Sequence, residues 1–210
     1  MPAKLQLYYI TDRTQVKTRS LEDCLAGAIA AGVDCVQIRE KDMPARTLLA
    51  LTQAAVADAE RRGRGTRVLV NDRLDVALAA HAHGVHLGTH SMPVGQLRRL
   101  APSGFRVGAS CHSLEEAIAA EAAGADYLLL GPIFATPSKL QYGPPLGITK
   151  LGEVTHRVNI PVFALGGITS DRVATCLASG AVGIAGIRVF QDCDSIQDLV
   201  RELHAQALGG

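Results

Sequence analysis

Short apolar runs and longer amphipathic segments alternate along the whole chain. Aliphatic and β-branched runs at 33–38, 68–70 and 160–165 are typical of buried strands. The segments between them are rich in Ala and Leu at helical spacing, and two of them end at Gly32 and Gly63, as helices often do. Strict alternation of this kind predicts a parallel sheet whose strands are joined by helices.

The pattern contains eight predicted strands, which close most economically into a barrel. We therefore predict an α/β fold, a single (β/α)8 TIM-type barrel that occupies residues 1–210 as one domain. An open doubly wound sheet is the alternative, but no Gly-x-Gly-x-x-Gly motif follows the first strand. With 210 residues, of which 48% are hydrophobic, the chain can bury one substantial core.

Composition excludes several classes of partner. The 21 basic and 20 acidic residues leave a net charge of +1, so neither nucleic acid nor an anionic membrane surface is an expected partner. No apolar stretch is long enough to span a bilayer. Five scattered Cys without paired spacing favour free thiols in a reducing compartment, and a cytoplasmic location is expected. A homo-oligomer is compatible with the sequence.

Polar residues follow most of the predicted strands, where the active site of such a barrel forms. These residues are Gln37, Arg39, Lys41, Asn71, Asp72, His86, His90, Ser110, His112, Thr136, Ser138 and Lys139. Gln37, Arg39 and Lys41 alternate, so one continuous strand would direct all three to the same side. Arg39, Lys41 and Lys139 beside glycine-rich loops predict a pocket for a phosphorylated, anionic small molecule.

Two glycine-rich strand ends indicate where a phosphate group could bind. The apolar run 160–165 ends at Gly166 and Gly167 and is followed by a helical pattern, and the next strand, 182–187, is also glycine-rich. Glycine allows backbone N–H groups to approach an anion closely, and a helix N-terminus favours negative charge. A tight turn that binds nothing is the alternative.

The histidines and one loop offer further hypotheses. His112 is predicted to lie at a strand end before a helix, where a neutral imidazole could take and return a proton. His86 and His90 are metal ligands by chemistry, but no carboxylate or Cys completes a set. Asn71 and Asp72 could be simple turn residues. The Gly- and Pro-containing loop 135–145 is predicted to order over a bound ligand.

Taken in order, seven segments resemble the thiamine phosphate synthase and TenI superfamily over nearly the whole chain. The segments are Gln37–Lys41, Val70–Asp72, Gly84–Gly88, Gly108–Ser113, Gly131–Phe134, Thr136–Lys139 and Gly166–Ile168. In the synthase branch, an aminopyrimidine diphosphate ionises and a thiazole phosphate captures the carbocation. In the TenI branch, thiazole tautomerases move a proton to aromatise a thiazole carboxylate phosphate.

The resemblance implies a role for each matching position. The diphosphate would lie on Arg39, Lys41, Asn71, Ser110 and Lys139, with Gln37 near the pyrimidine and with Thr136 and Ser138 near the thiazole. The phosphate of the thiazole would lie on the backbone around Gly166, Gly167, Ile187 and Arg188. For a tautomerase, His112 would be the general acid and base, with Ser110 and Lys139 in the same catalytic group.

One position departs from the synthase pattern. The family has an Asp that helps Asp72 hold Mg²⁺, and Ser91 stands there in this chain. A hydroxyl is a much poorer ligand than a carboxylate for a hard dication. The interpretation favoured by this change is a TenI-type thiazole tautomerase that needs no cofactor. The alternatives are a Mg²⁺-dependent thiamine phosphate synthase that acts on both half-molecules, and a non-catalytic paralogue that binds a phosphorylated ligand.

Overall fold

The computed structural model describes residues 5–136 and 144–208. Eight parallel strands within these ranges pair in chain order, and β8 pairs with β1 to close the barrel. The strands are β1 (Gln6–Ile10), β2 (Cys35–Ile38), β3 (Arg67–Asn71), β4 (Gly84–Leu87), β5 (Arg106–Cys111), β6 (Tyr127–Leu130), β7 (Val162–Leu165) and β8 (Gly183–Gly186). The predicted TIM-type barrel is confirmed.

Helices follow each strand and surround the barrel. They are α1 (Leu21–Ala31), α2 (Ala45–Arg62), α3 (Leu74–Ala79), α4 (Val94–Leu100), α5 (Leu114–Ala122), α6 (Gly147–Arg157), α7 (Val173–Ala178), α8 (Arg188–Gln191) and α9 (Ile196–Leu208). None of the helices in the described ranges has both the length and the apolar character that crossing a membrane requires.

Local sequence explains where the main helices begin and end. Ser20 caps α1 in a full capping box with Asp23, which satisfies backbone N–H groups that the first turn leaves unpaired. Gly32 and Gly63 end α1 and α2 in the left-handed conformation, which glycine adopts without steric cost. The two glycine ends agree with the sequence prediction.

Two helical features differ from the expectation. The segment after β7 does not enter a helix directly, because a 3-10 turn at Ser170–Arg172 precedes α7. The four-residue helix α8 lies between β8 and the last helix and has too few residues to produce a periodic pattern. Most of the predicted ligand loop 135–145 lies outside the described residues.

Alternating strand positions divide the buried side chains into two cores. Leu7 and Tyr9 on β1 pack outward with the helices in the larger cluster. Tyr8 and Ile10 on the same strand belong to a second cluster inside the barrel, together with Tyr127 on β6. The period of two along a strand places these neighbours on opposite faces.

Gly108 on β5 leaves the space that the Tyr127 ring occupies inside the barrel. A Cβ atom added at Gly108 would lie 2.0 Å from Cζ and 2.3 Å from the hydroxyl oxygen of Tyr127. Both distances are far below van der Waals contact. An aromatic ring therefore fits into the barrel at this level only because the neighbouring strand has no side chain there.

We predict that Gly108→Ala destabilises the protein by about 1–3 kcal/mol, because the added methyl group must displace the Tyr127 ring. Chemical denaturation measures this change in the free energy of unfolding. Gly152→Ala in α6 is the matched control, since a Cβ atom there meets nothing within 4 Å. The control should be neutral or stabilising by up to about 1 kcal/mol, because alanine is the better helix former. Equal stability of Gly108→Ala and wild type would contradict the packing described here.

Candidate active site

Gln37, Asn71 and Asp72 form a hydrogen-bonded row at the carboxyl ends of β2 and β3. Gln37 Nε2 donates to Asn71 Oδ1 at 2.9 Å, and Asn71 Nδ2 donates to Asp72 Oδ2 at 2.8 Å. Gln37 is 1% exposed, and its side chain lies inside the barrel. The structure therefore brings together three of the residues that the sequence identified as candidate binding residues.

Asp72 is held by both its backbone and its carboxylate. Its φ of 62° lies in the left-handed region, which is uncommon for any residue with a side chain. Its backbone N–H donates to the carbonyl of His86 at 3.0 Å. The Ser91 hydroxyl donates to Asp72 Oδ1 and accepts from the Gly88 N–H at 2.7 Å. Both carboxylate oxygens thus have protein donors.

A second row of polar side chains crosses the barrel interior from Gln37 to Ser110. The Tyr8 hydroxyl lies 3.1 Å from Gln37 Oε1 and 2.9 Å from the Tyr127 hydroxyl. His86 Nδ1 lies 3.2 Å from the Tyr127 hydroxyl, and His86 Nε2 lies 2.9 Å from Ser110 Oγ. The candidate residues on β2 and β5 are therefore connected through buried groups.

His86 is an interior group and not half of a metal pair with His90. Burial of its ring lowers the pKa of His86 to about 3, because a cation loses its hydration inside the barrel; the nearby Asp72 carboxylate opposes this shift. Both ring nitrogens have hydroxyl partners, whereas His90 is exposed. Within residues 5–136 and 144–208, no group of three His, Cys, Asp or Glu side chains is arranged to hold a metal ion.

Arg39 and Lys41 lie beyond the end of β2, so the expected alternation does not extend to them. The strand ends at Ile38, and Glu40 is 5% exposed. Glu40 accepts hydrogen bonds from Thr11 Oγ1 at 2.7 Å and from Arg13 Nη1 at 3.2 Å. Arg39 Nη1 lies 3.8 Å from Asp12 Oδ2, and Lys41 is exposed in the turn that follows. The two cations border the mouth of the barrel.

His112 is fixed at the end of β5. Its ring Nδ1 is hydrogen-bonded to the carbonyl of Gly131, and its backbone N–H donates to the Glu116 carboxylate at 2.7 Å. A carbonyl oxygen only accepts, so Nδ1 carries a proton and Nε2 is the nitrogen available to a ligand when the ring is neutral. The residue lies between β5 and α5, as the sequence predicted, and its side chain is partly exposed.

Close packing explains the two glycines after β7. Gly166 and Gly167 have φ values of 93° and 65°, and a Cβ atom at Gly167 would lie 2.6 Å from the carbonyl oxygen of Ala135. The backbone of Phe134 donates to the Gly166 carbonyl at 3.0 Å. The loop after β6 therefore needs both glycines whether or not an anion binds. Ile187 and the exposed Arg188 lie after β8, at the start of α8.

Three candidate residues belong to the loop after β6. Thr136 is the last described residue before the gap, whereas Ser138 and Lys139 lie outside the described residues. Their predicted contacts with substrate stay predictions.

Sequence reasoning missed the aromatic members of the interior row. Tyr8 and Tyr127 are fully or nearly fully buried, with exposures of 0% and 7%, and neither was identified as a site residue. The alternation along β1 could have identified Tyr8, because Tyr8 and Ile10 alternate with residues that face the helices and so point into the barrel. The buried Glu40 was missed because it stands in a run of charged residues that reads as a solvated surface.

Comparison with known proteins identifies the family. The family model described as thiamine monophosphate synthase matches residues 7–190. The chain is 51% identical over 179 residues to a putative thiamine-phosphate synthase of Geobacter sulfurreducens, covering 85% of this chain and 83% of the relative. It is 47% identical over 182 residues to the thiamine-phosphate synthase of Methanoculleus marisnigri, covering 86% and 85%.

A solved structure supports the same assignment. The thiamine phosphate pyrophosphorylase of Pyrococcus furiosus matches with a TM-score of 0.86 and 34% identity, covering 99% of this chain and 97% of that protein. The chain belongs to the thiamine monophosphate synthase family.

Proposed function

We propose that this protein is a thiamine-phosphate synthase, which joins an aminopyrimidine diphosphate to a thiazole phosphate and releases diphosphate. The observation that carries the proposal is the hydrogen-bonded row of Gln37, Asn71 and Asp72, which lies at the end of the strand that leads into Arg39. A proton transfer on a thiazole ring does not require this half of the pocket. The names of the relatives also favour the synthase over the tautomerase that the sequence interpretation ranked first.

Cationic and amide groups at the carboxyl ends of β2 and β3 are the proposed diphosphate site. Arg39 and Lys41 supply positive charge at the mouth of the barrel, and Asn71 adds a polar side chain that contacts Asp72. Gln37 is the proposed contact to the aminopyrimidine, because its amide lies deepest in the row. Thr136, Ser138 and Lys139 are proposed to contact the substrates from the loop after β6.

The loops after β7 and β8 are the proposed site for the thiazole phosphate. Gly166, Gly167, Ile187 and Arg188 belong to these two loops, and the short helix α8 begins at Arg188. This arrangement is the usual phosphate site of a TIM barrel. The proposed phosphate site is supported by the position of these loops in the barrel. The two glycines add no separate support, because packing against the loop after β6 already explains them.

Asp72 is the proposed protein ligand for Mg²⁺. The donor set fits the mode in which Mg²⁺ takes one carboxylate and completes its octahedron with water and substrate phosphate oxygens, because Asp72 stands beside the proposed diphosphate site. It does not fit a cage made of protein ligands alone, since Ser91 replaces the second carboxylate. When bound, the ion would neutralise charge that builds up on the leaving diphosphate.

The proposed reaction exchanges one bond for another. The C–O bond between the pyrimidine methylene and the diphosphate breaks, and the electron pair leaves with the diphosphate. A nitrogen lone pair of the thiazole then forms the new C–N bond. The protein binds both charged ends, holds the two rings in reach of each other and excludes water from the intermediate cation.

A second candidate function is thiazole tautomerisation, which the geometry of His112 favours. The contact with Gly131 orients the ring and leaves Nε2 free to act as a base on a thiazole carboxylate phosphate. Such a reaction would need no metal ion.

We expect the purified protein to form thiamine phosphate from the two half-molecules in the presence of Mg²⁺, with turnover lost in EDTA. We expect no acceleration of thiazole carboxylate tautomerisation. If tautomerisation is accelerated instead, and His112→Ala slows it by about 100-fold or more, the second candidate is correct. His156→Ala is the control, because His156 also bonds a backbone carbonyl through Nδ1 but lies exposed on α6.

We also predict that Ser91→Asp strengthens Mg²⁺ binding. Two carboxylates would then stand together, where the Ser91 hydroxyl now donates to Asp72. The variant should have a lower Tm than wild type in EDTA, because the like charges repel, and a larger rise in Tm on addition of Mg²⁺. Half-maximal turnover should need less Mg²⁺.

Ser103→Asp is the matched control, since it adds the same charge on an exposed loop before β5, at the opposite end of the barrel. The metal assignment fails if Mg²⁺ shifts the Tm of Ser91→Asp and Ser103→Asp equally.

A further inference from the structure

The two rows of polar groups join at Gln37 into one interior row, which runs from Ser110 to Asp72. The Asp72 carboxylate at its end determines which group donates in each hydrogen bond. A carboxylate only accepts hydrogen bonds, so the Asn71 group that faces Asp72 Oδ2 must be its NH₂. This fixes the orientation of the Asn71 amide and turns its Oδ1 toward Gln37. Gln37 must then donate with Nε2, at 2.9 Å, and its Oε1 is left to face Tyr8.

Each tyrosine hydroxyl has only one proton to give. Tyr8 donates to Gln37 Oε1, so its oxygen accepts from the Tyr127 hydroxyl at 2.9 Å. Tyr127 has thereby used its proton and can only accept from His86 Nδ1, at 3.2 Å. Burial raises the pKa of both tyrosines well above the usual range, so both keep their protons.

His86 continues the direction to Ser110. The ring is buried between the Tyr127 and Ser110 hydroxyl groups, where a cation would lose its hydration, so the ring is neutral and carries a single N–H. That N–H is on Nδ1 and points at Tyr127, so Nε2 presents its lone pair to Ser110 Oγ at 2.9 Å. The Ser110 hydroxyl must therefore be the hydrogen-bond donor in this contact, and His86 Nε2 the acceptor.

We propose that His86 is a positioning residue whose Nδ1–H tautomer holds Ser110 as a hydrogen-bond acceptor toward the substrate. Six hydrogen bonds in one direction, from Ser110 to Asp72, set this tautomer. The Ser110 oxygen keeps its remaining lone-pair capacity for a ligand and has no proton to offer a phosphate oxygen. The Ser110 oxygen therefore suits a substrate group that donates a hydrogen bond, such as an N–H, or a carbon that gains positive charge.

For the substrates, this inference rests on the proposed synthase function. It moves Ser110 from the diphosphate to the aminopyrimidine half of the substrate, whose methylene becomes cationic when the diphosphate leaves. The tautomer itself does not depend on the reaction and can be measured on the free protein.

The first test is a long-range ¹H–¹⁵N NMR spectrum of the ¹⁵N-histidine-labelled full-length protein without substrates. The seven histidines give separate ring patterns, and the His86 pattern is the one lost in His86→Asn. We expect a protonated Nδ1 and an unprotonated Nε2 for His86. A protonated Nε2 in the wild-type protein overturns the proposal.

Tyr8→Phe tests whether the hydrogen bonds that lead from Tyr8 to Asp72 set the tautomer of His86. This variant separates Tyr127 from Gln37, so the Tyr127 hydroxyl can turn and donate to His86 Nδ1, and the Nε2–H tautomer of His86 should become populated. Tyr9→Phe is the control, because the buried Tyr9 hydroxyl takes no part in the row and lies beside the Cys24 thiol. An unchanged tautomer in a folded Tyr8→Phe protein contradicts the proposal.

Ser110→Ala tests the consequence for the substrate, with inorganic pyrophosphate as the probe. Calorimetry should give an affinity within about twofold of wild type, whereas loss of a charge-assisted bond to phosphate would weaken binding by about tenfold or more. Turnover should fall by about tenfold or more because the cationic half loses its acceptor. A large loss of pyrophosphate affinity overturns the proposal. If wild type binds no pyrophosphate, the synthase function fails, while the NMR spectrum still decides the tautomer.

Discussion

The interior of this barrel is constrained by the need to satisfy every polar group that it buries. Water is excluded there, and an unpaired hydroxyl or amide costs about 1–3 kcal/mol. Tyr8, Gln37, His86 and Tyr127 lie between 0% and 7% exposed, so each must find its hydrogen-bond partners within the protein. The carboxylate at the end of the row, Asp72, accepts only, and this one-sided chemistry orients all of them.

Space for the row comes from backbone positions without side chains. Gly108 lets the Tyr127 ring lie across β5, and that ring brings the hydroxyl group that contacts His86 Nδ1. Gly166 and Gly167 leave space in the same way after β7, where they allow the loop after β6 to pack closely. Glycine in this chain therefore marks close approaches inside the protein, which a sequence pattern alone cannot distinguish from close approaches to a ligand.

The sequence predicts the fold well because each barrel strand carries its own local signal. Apolar runs, helix caps such as Ser20 and left-handed glycines such as Gly32 depend on neighbours in the chain. The candidate site is predicted only in part. Gln37, Asn71 and Asp72 can be recognised because they are polar residues at strand ends. Tyr8 and Tyr127 cannot be recognised in this way, because Tyr8 contacts Gln37, 29 residues away in sequence, and Tyr127, 119 residues away.

Ser91 illustrates how one neighbour changes what a carboxylate can do. Its hydroxyl donates to Asp72 Oδ1 and is itself fixed by the Gly88 N–H, so the protein supplies Asp72 with donors on both oxygens. A second carboxylate at this position would repel the first, and a cation between the two groups would relieve the repulsion. With Ser91, the orientation of Asp72 is set by hydrogen bonds within the protein, and the direction that it imposes on Asn71 and Gln37 does not require a metal ion.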